Sequence, residues 1–207
     1  MERSDIELLD AWQSGEGDAG ATLYARYFEL VRNLLRGKTA EEEDVLQRVF
    51  ECLARSRGAM EIRTSFRAYL AAIARNELIK HLRERAKDPQ DFDPQMASAE
   101  SLMPSPSEVV ARRAEHQVLL MALLRIPLDA QILLELHYWE HMSTAELGEA
   151  YDVPRSTVKS RLQRARRQLE DQFRAMTLDP TLAEHTTRNI QRWVHAIREQ
   201  ANWELGR

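Results

Sequence analysis

Residues 143–169, STAELGEAYDVPRSTVKSRLQRARRQL, predict two helices joined by a tight turn. Ser143 and Glu146 have the spacing of a capping box, in which each side chain accepts a hydrogen bond from the other residue's backbone N–H. Pro154 disfavours a helical conformation at the residue before it, but it suits the first turn of a helix. We therefore expect a short helix from about Thr144 and a second helix that begins near Pro154.

The second of these helices is apolar on one side and basic on the other. Its apolar residues recur at steps of four, three and four, which predicts one buried stripe made of Val158, Leu162, Ala165 and Leu169. The remaining face contains no acidic residue from 155 to 168. This pattern predicts a helix-turn-helix that enters a DNA major groove, with candidate contact residues Arg155, Ser156, Thr157, Lys159, Ser160, Gln163, Arg164 and Arg167. A solvated basic face on an ordinary helical hairpin is the alternative.

Charge is distributed unevenly along the 207 residues. The net charge is only -4, but basic residues are concentrated in 63–87 and 155–167, whereas 88–108 contains acids and no Lys or Arg. The chain therefore has two basic segments, each of which could face a polyanion. With 43% hydrophobic residues it can bury a core, and its length allows one or two domains.

Cysteine content and the N-terminal residues indicate a cytoplasmic protein. Cys52 is the only cysteine, which excludes a disulfide within one chain and a cysteine-based zinc site. The first twelve residues are acidic and lack the continuous apolar segment of a signal peptide. No later window approaches the roughly 20 apolar residues of a membrane helix.

Apolar periodicity predicts helix nearly everywhere, and hence an all-α fold. Ser4 with Glu7, and Thr39 with Glu42, repeat the capping-box spacing and predict two further helix starts. We expect helices that end near Gly15, that span about 19–36, that run from Thr39 through Leu53, and that span 66–85.

The last of these helices follows a loop, 56–65, that carries cationic side chains. Its inner face is apolar, and its outer face is expected to present Arg67, Arg75, Lys80, Arg83 and Arg85. Cationic grooves next to aromatic residues hold single-stranded bases, so this pairing of loop and helix indicates nucleic-acid binding. The alternative is an ordinary solvated face.

The residues after this helix predict a linker, further helices and a tail. Four of the seven prolines fall in 86–107 together with acids and Ser, a composition that does not fold by itself. Helix starts are predicted at Ser105 and at Pro127. The tail from about 177 has an amphipathic pattern, and we expect it to pack on the second domain, with a regulatory or partner-binding role as the alternative.

Two blocks of the sequence resemble parts of one protein family. The segment EEDVLQRVF, 42–50, followed by FRAYLAAIARNELIKHLRER, 66–85, resembles the second region of bacterial sigma factors of the extracytoplasmic-function type. The helix-turn-helix at Ser143, including TVKSRLQRAR at 157–166, resembles their fourth region. The resemblance covers about 6–173.

This resemblance implies two small helical domains and a non-enzymatic promoter-specificity subunit that needs no cofactor or metal. Its expected partners are the β and β′ subunits of core RNA polymerase and promoter DNA, and an anti-sigma factor is a further candidate. The implied segments are a first domain at 1–86, a flexible linker at 87–107, a helix-turn-helix domain at 108–174 and a helical extension at 175–207.

The resemblance also implies roles for individual residues. Core polymerase would be bound by Glu42, Glu43, Asp44, Gln47, Arg48 and Glu51. The melted strand of the minus-ten promoter element would be held by Arg57, Arg63, Arg67, Tyr69, Arg75, Asn76, Lys80, His81 and Arg83, while the loop 56–65 captures an unstacked base. The duplex minus-thirty-five element would be read by the eight candidate residues that the helix-turn-helix provides.

The chain departs from the family at a few positions. Asp152 stands where the turn usually has Gly, Ser156 where Gly often precedes Thr-Val, and Tyr69 where Trp is common. Asp152 must therefore adopt a turn conformation that is easiest for Gly, which Asn and Asp tolerate better than most residues. These changes bear on which promoter is read more than on the class of function.

Two other functions are compatible with parts of the sequence. A stand-alone helix-turn-helix regulator would bind duplex DNA without polymerase, but it would not need the segment EEDVLQRVF. A sigma-like interaction protein would bind polymerase or a partner without starting transcription, but it would not need an intact basic helix.

The H-x-x-E-H pattern from His137 to His141 resembles a zinc-peptidase motif, but a catalytic zinc site needs a third protein ligand, and we expect a structural helix there.

Overall fold

The computed structural model describes residues 3–60, 62–99 and 114–176, without the side chains of 114–117. These ranges contain the helices α1 (Asp5–Gln13), α2 (Gly17–Leu35), α3 (Glu42–Ser56), α4 (Phe66–Arg85), α5 (Ala114–Arg125), α6 (Leu128–Tyr138), α7 (Thr144–Ala150) and α8 (Arg155–Met176), with a 3-10 turn at Arg57–Ala59. Within the same ranges an isolated bridge between Ser98 and Pro127 is the only β-type pairing. The all-α fold is thereby confirmed. The helix start predicted at Ser105 and the tail from 177 lie outside the described residues.

None of the helices in the described ranges is both long enough and apolar enough to cross a lipid bilayer.

Three helix starts follow from local side-chain caps. The capping boxes at Ser4 and Ser143 are present, with both reciprocal hydrogen bonds formed. Ser65 caps α4, because its hydroxyl accepts from the Ala68 backbone N–H. Each cap satisfies backbone donors that a helix cannot satisfy internally.

The capping box expected at Thr39 and Glu42 is wrong. Thr39 is buried, and its hydroxyl lies 2.9 Å from Nε2 of His81 in α4. Glu42 accepts instead from the Gly37 backbone N–H at 2.7 Å, and α3 begins at Glu42 without a side-chain cap. The Thr39 hydroxyl accepts from the Glu41 backbone N–H at 3.2 Å and contacts His81 in another helix, so it does not cap the backbone at Glu42.

Helices α1–α4 form the N-terminal lobe. Its core is made of fully buried apolar residues from three helices, Leu23, Val31, Val45, Val49, Leu70 and Leu78. Helix α1 crosses α2 closely at Gly20, where a Cβ would lie 2.4 Å from Nε1 of Trp12. The Asp5 carboxylate accepts hydrogen bonds from Tyr27 and Arg26 on α2, which fixes the start of α1.

Helices α5–α8 form the C-terminal lobe. The predicted stripe of α8 is buried in it, and Phe173 extends the stripe by one more turn. Helix α8 packs against α7 within the helix-turn-helix and against α5 and α6, so α5 and α6 support the motif. This packing leaves the opposite face of α8 to solvent.

The two lobes are in contact and share one continuous apolar core. Helix α4 packs against α7, and α2 packs against α6. The chain between the lobes also pairs with the start of α6, where the Leu128 and Asp129 backbone N–H groups donate to the carbonyls of Ala97 and Pro94 at 2.8 and 3.0 Å. Part of the expected linker thus lies against the C-terminal lobe, while the domain boundaries stay a prediction.

Candidate nucleic-acid interface

The predicted duplex-reading residues lie together on the solvent side of α8. All of them are exposed except Thr157, which is half-buried. The Ser160 hydroxyl donates to the Thr157 carbonyl at 2.9 Å, within the first turns of the helix. The exposed face combines cationic and polar groups near the helix N-terminus, as a helix that reads a major groove requires.

The turn before α8 has a tight backbone conformation. The Val153 backbone N–H donates to the Gly148 carbonyl at 2.9 Å, and a Cβ on Gly148 would lie 3.0 Å from the Val153 carbonyl oxygen. Asp152 has a φ of 50°, in the left-handed region. The residue that stands in place of the usual turn glycine therefore does adopt the conformation that glycine favours.

The residues predicted to hold a melted strand have different surroundings. Arg57, Arg63, Asn76, Lys80 and Arg83 are exposed on the N-terminal lobe. Arg67, Tyr69 and Arg75 are half-buried. The structure therefore places only part of this predicted set on an accessible surface.

His81 is a correction to the predicted set. Its side chain is 1% exposed, and its Nε2 lies 2.9 Å from Thr39 Oγ1 and 3.2 Å from the Glu41 carboxylate. A side chain held in this way cannot reach a nucleic-acid strand. The sequence pattern misled because position 81 is next to Lys80 on the same helix, whereas its side chain points into the contact with the α2–α3 connection.

Arg67 makes the most extensive polar contact between the lobes. Its Nη2 lies 2.8 and 2.9 Å from the two carboxylate oxygens of Glu146, and its Nη1 donates to the Glu140 carbonyl at 3.0 Å. The Ser65 hydroxyl adds a hydrogen bond of 2.8 Å to the same carboxylate. The Arg67 and Glu146 side chains are 29% and 12% exposed, so this ion pair is largely shielded from water.

The charge state of Glu146 follows from these contacts. Desolvation alone would raise its pKa, but hydrogen bonds from the Ser143 backbone N–H, from Arg67, from the Ser65 hydroxyl and from the Ser143 hydroxyl outweigh it. They lower the pKa from 4.5 to about 2. The carboxylate is therefore ionised at neutral pH.

Arg75 makes a second ion pair between the lobes. Its Nη2 and Nε lie 2.6 and 2.9 Å from Oδ1 of Asp129, and its guanidinium carbon lies 4.5 Å from the centre of the Tyr151 ring. Tyr151 donates to the Asp129 carbonyl at 3.2 Å. Burial raises the pKa of Tyr151 well above its usual range, so its hydroxyl stays protonated and serves as this donor.

Lys38 makes a third ion pair between the lobes, one that the sequence does not point to. The side chain is 1% exposed, and its Nζ lies 2.7 Å from Oε2 of Glu135 on α6. A fully buried ammonium group is costly unless it is paired. This pair therefore ties the α2–α3 connection to the C-terminal lobe.

The residues predicted to bind core polymerase lie along α3. Glu43, Asp44, Gln47 and Glu51 are exposed, and Glu42 and Arg48 are half-buried. Arg48 lies 3.3 Å from Glu84, and Gln47 donates to Glu51 at 2.7 Å. The helix thus presents an acidic face on the N-terminal lobe, separate from the contact with α7.

The sequence patterns missed the acidic partners of the basic residues. Asp129, Glu135 and Glu146 were not among the predicted site residues, although each pairs with a cation of the N-terminal lobe. The signal that could have indicated them is the stretch 129–152 before the basic helix α8, which contains acids and no Lys or Arg.

In the H-x-x-E-H segment, His137 Nδ1 lies 2.9 Å from the Met142 carbonyl oxygen, and the described residues contain no cluster of His, Cys, Asp or Glu that could hold a metal ion.

Comparison with known families identifies both halves of this arrangement. The family model for Sigma-70 region 2 matches residues 23–88, and that for Sigma-70 region 4 matches residues 116–169. The first range contains α3 and α4, and the second contains the helix-turn-helix.

Individual relatives agree with this assignment. The chain is 27% identical over 186 residues to the ECF RNA polymerase sigma factor SigW of Bacillus subtilis, covering 84% of this chain and 99% of that protein. It is 28% identical over 174 residues to the ECF RNA polymerase sigma factor SigM of Mycobacterium tuberculosis, covering 81% and 84%.

Two solved structures share the fold. The structure of CnrH in complex with the cytosolic domain of CnrY matches with a TM-score of 0.60 at 20% identity, covering 84% of this chain and 99% of that one. The sigma factor RpoE of Bartonella quintana, in complex with the anti-sigma factor NepR, matches with a TM-score of 0.54 at 19% identity, covering 74% and 96%. With both sigma-70 regions matched in order, and with relatives of one type along most of its length, the chain belongs to the sigma-70 family of RNA polymerase sigma factors, in the extracytoplasmic-function type.

Proposed function

We propose that this sigma factor binds core RNA polymerase, directs it to promoters that carry a minus-ten and a minus-thirty-five element, and so initiates transcription of a specific set of genes. Sigma factors are non-enzymatic initiation factors, and the chain is one of them. The observation that carries the proposal is the exposed basic face of α8. The opposite, apolar face of α8 is buried in the C-terminal lobe, and α7, which precedes it, begins at a capping box.

The duplex element is assigned to α8. Residues near the start of the helix, such as Ser156 and Lys159, would contact base edges, and later ones such as Arg164 and Arg167 would contact phosphates. Exposure of these side chains on one face supports the assignment.

The melted strand is assigned to the N-terminal lobe. The residues assigned to it are those predicted from the sequence, without His81, which is buried. The residues are Arg57, Arg63, Arg67, Tyr69, Arg75, Asn76, Lys80 and Arg83. Unstacking a base costs a few kcal/mol, so promoter opening needs a surface that repays this cost. A cationic surface next to an aromatic ring supplies the required contacts.

Core polymerase is assigned to the acidic face of α3, with Glu42, Glu43, Asp44, Gln47, Arg48 and Glu51. The domains would be 1–86 and 108–174, joined by 87–107, with 175–207 as an extension. We place the protein in the cytoplasm, where its polymerase acts. An anti-sigma factor is a candidate partner, because the RpoE relative of known structure is bound to one.

Run-off transcription with core polymerase tests this function. The template is a pool randomised upstream of the start site, with a transcribed barcode that identifies each upstream sequence, and the barcodes are read from the RNA after reactions with and without the full chain. Templates whose transcripts require the chain are expected to share upstream elements. Duplex binding without any dependence of transcription on the chain would instead indicate a stand-alone regulator.

A charge variant separates core binding from DNA binding. Asp44→Lys on the exposed face of α3 should weaken the complex with core polymerase while leaving affinity for duplex DNA unchanged. Glu29→Lys, an equal charge change at an exposed position of α2, is the matched control and should leave both unchanged. An Asp44→Lys chain that binds core as tightly as the parent would contradict the assignment to α3.

A further inference from the structure

Helix α1 carries none of the residues assigned to DNA or to polymerase. It spans Asp5–Gln13 and lies before residues 23–88, the range that the Sigma-70 region 2 model matches, so the family match gives it no role. Its contacts lead to loop 56–65, the segment that captures an unstacked base if the N-terminal lobe holds the melted strand.

Helix α1 is fixed on α2 along its length. Leu8 and Leu9 are buried. Gly20 of α2 leaves no room for a side chain, because a Cβ would lie 2.4 Å from Nε1 of Trp12. At the start of α1, the Asp5 carboxylate accepts two hydrogen bonds from side chains of α2. A helix this short is not stable alone in water, but these contacts make it a rigid support.

The end of α1 holds the beginning of the loop. Nε2 of Gln13 donates to the Arg57 carbonyl at 2.8 Å. Arg57 starts the 3-10 turn Arg57–Ala59, which is exposed, contacts α1 and has no side-chain cap at its own start. Since the hydrogen bonds within a 3-10 turn have poorer geometry than those of an α-helix, a donor from another helix adds a needed restraint.

The start of α1 supports the other end of the loop through one aromatic ring. The Tyr27 hydroxyl donates to Asp5, and the Tyr27 ring lies 5.4 Å, centroid to centroid, from the ring of Phe66. Phe66 is the first residue of α4, directly after the loop, and it is 2% exposed. Both ends of the loop are thus tied to α1.

Capture of a base benefits from such a support. Unstacking a base costs free energy that the receiving pocket must offset. A loop that becomes ordered only on binding also loses conformational entropy at that step, which weakens its affinity. A loop that is held at both ends beforehand avoids part of this loss.

We propose that α1 is a brace for the base-capturing loop and that Gln13 is a positioning residue, which holds the Arg57 backbone in the conformation that receives an unstacked base. Gln13 does not touch DNA; it acts through the Arg57 carbonyl. The inference rests on the proposed function, in which the N-terminal lobe holds the melted strand.

Loss of the Gln13 hydrogen bond should lower the fraction of chains whose loop is ready for the base. One net hydrogen bond corresponds to roughly a three- to tenfold change in an equilibrium constant. The apparent Kd for a captured base should rise by about the same factor, because it varies inversely with the ready fraction. Contacts elsewhere on the DNA should not change.

The test uses the full chain assembled with core polymerase. Gln13→Met removes the donor without a change of charge, and Gln95→Met, at an exposed position of the segment between the lobes, is the matched control. The DNA is a fork made from an upstream sequence recovered by run-off transcription, with one strand of its minus-ten element unpaired. A second series of forks replaces each unpaired base in turn by an abasic site. Fluorescence anisotropy gives the Kd, and the ratio of abasic to intact Kd measures capture of that base.

For the captured base, Gln13→Met should raise the Kd of the intact fork by roughly three- to tenfold and leave the Kd of the abasic fork unchanged, so the ratio falls by the same factor. Gln95→Met should match the parent on both forks. A ratio equal to that of the parent would overturn the proposal, whether the two Kd values stay the same or rise together. A joint rise would show a general loss of structure in the lobe.

Hydrogen exchange of the free chain checks the brace without DNA. The amide protons of the turn Arg57–Ala59 and of Met60, which is buried, should exchange faster in Gln13→Met by roughly three- to tenfold. Those of α4 should keep the rate of the parent. An unchanged rate at the turn would mean that α1 does not hold the loop, and the proposal would fail whatever the DNA measurements give.

The parent chain separates this inference from the proposed function. If the parent binds intact and abasic forks equally at every position, loop 56–65 captures no base, and both that assignment and the inference fail. Chain-dependent run-off transcription would still support the sigma function itself. If the parent discriminates and Gln13→Met discriminates equally well, the inference alone fails.

Discussion

Arg67 and Glu146 meet edge to edge across the two lobes, with one guanidinium nitrogen 2.8 and 2.9 Å from the two carboxylate oxygens. The same carboxylate accepts from the Ser143 backbone N–H at 2.9 Å and so caps α7. One side chain therefore serves the start of the helix-turn-helix and the contact between the lobes. A change at Glu146 is expected to affect both.

The ionisation of Glu146 predicts a specific dependence of stability on pH. Its pKa is about 2 in the folded chain, against 4.5 for an unperturbed glutamate. A carboxyl group with a lowered pKa stabilises the fold fully above the unfolded value, and this contribution is lost as the pH falls through the folded value. The stabilisation from Glu146 should thus be complete above about pH 5 and should decline toward pH 2.

Urea unfolding of the parent and of Glu146→Gln at a series of pH values measures this. The difference in the free energy of unfolding should be largest near neutral pH and should shrink steadily as the pH falls below about 4.5. Asp171→Asn, whose carboxylate is exposed, should show no comparable trend. A gap between parent and Glu146→Gln that stays constant from pH 6 down to about pH 3 would contradict a lowered pKa.

Local features of the fold were predictable because their causes are local. The capping boxes at Ser4 and Ser143 depend on residues three positions apart, and the buried stripe of α8 depends on helical periodicity. Thr39 carries the same local signal, yet its hydroxyl contacts His81, a residue 42 positions away, and accepts from the Glu41 backbone N–H instead of that of Glu42. The spacing of residues within the sequence does not specify these partners.

The candidate site was predictable by its charges but not by its pairings. Periodicity places Arg67 and Arg75 on the outer face of α4 when that helix is considered alone. Which side chains face them depends on how the lobes pack, and no spacing within the sequence encodes the meeting of Arg75 with Asp129, 54 residues away. The buried position of Lys38 is a consequence of the same packing.

The pair of Lys38 and Glu135 should be strongly coupled. Lys38→Met removes the cation and leaves the Glu135 carboxylate, whose side chain is 18% exposed, without its partner. Removal of one partner of a buried pair typically costs about 3 kcal/mol or more, because a charge is left unpaired. We expect the free energy of unfolding to fall by about 2–3 kcal/mol. The cost stays at the lower end because separation of the lobes would return the Glu135 carboxylate to water.

A double-mutant cycle measures this coupling by urea unfolding. Glu135→Gln keeps an acceptor for the Gln131 amide, which donates to Glu135 at 2.9 Å. The double variant should be destabilised by at least about 1 kcal/mol less than the sum of the two single variants. Arg174→Met, which breaks an exposed pair with Glu170, should cost less than about 1 kcal/mol. Additive effects of Lys38→Met and Glu135→Gln would show that the pair contributes nothing specific.

Asp152 should tolerate glycine better than alanine. Both substitutions remove the exposed ion pair with Arg63, so their difference reports the backbone alone. At a φ of 50° an alanine is strained by roughly 1–2 kcal/mol, whereas glycine is not, although glycine gains more freedom in the unfolded chain. We expect Asp152→Gly to be more stable than Asp152→Ala by about 1 kcal/mol in urea unfolding.

Asp171 provides the matched comparison, because it is exposed and lies within α8. In a helix interior glycine is about 1 kcal/mol less favourable than alanine, so the order of the two variants should reverse there. The same order at both positions would mean that the turn does not hold Asp152 in the left-handed region in solution.

Arg164 is the sharpest test of the duplex assignment. It is exposed on α8, on the face opposite the buried stripe of Val158, Leu162, Ala165 and Leu169. If it neutralises a phosphate, binding releases a counterion, and Arg164→Ala should weaken duplex binding and reduce the slope of log K against log salt by about 0.9. Arg174→Ala, an equal charge loss at an exposed position nearer the end of α8, should change neither quantity. Fluorescence anisotropy of a labelled promoter duplex over a salt series measures both, and an unchanged affinity and slope for Arg164→Ala would mean that this side chain faces solvent in the complex.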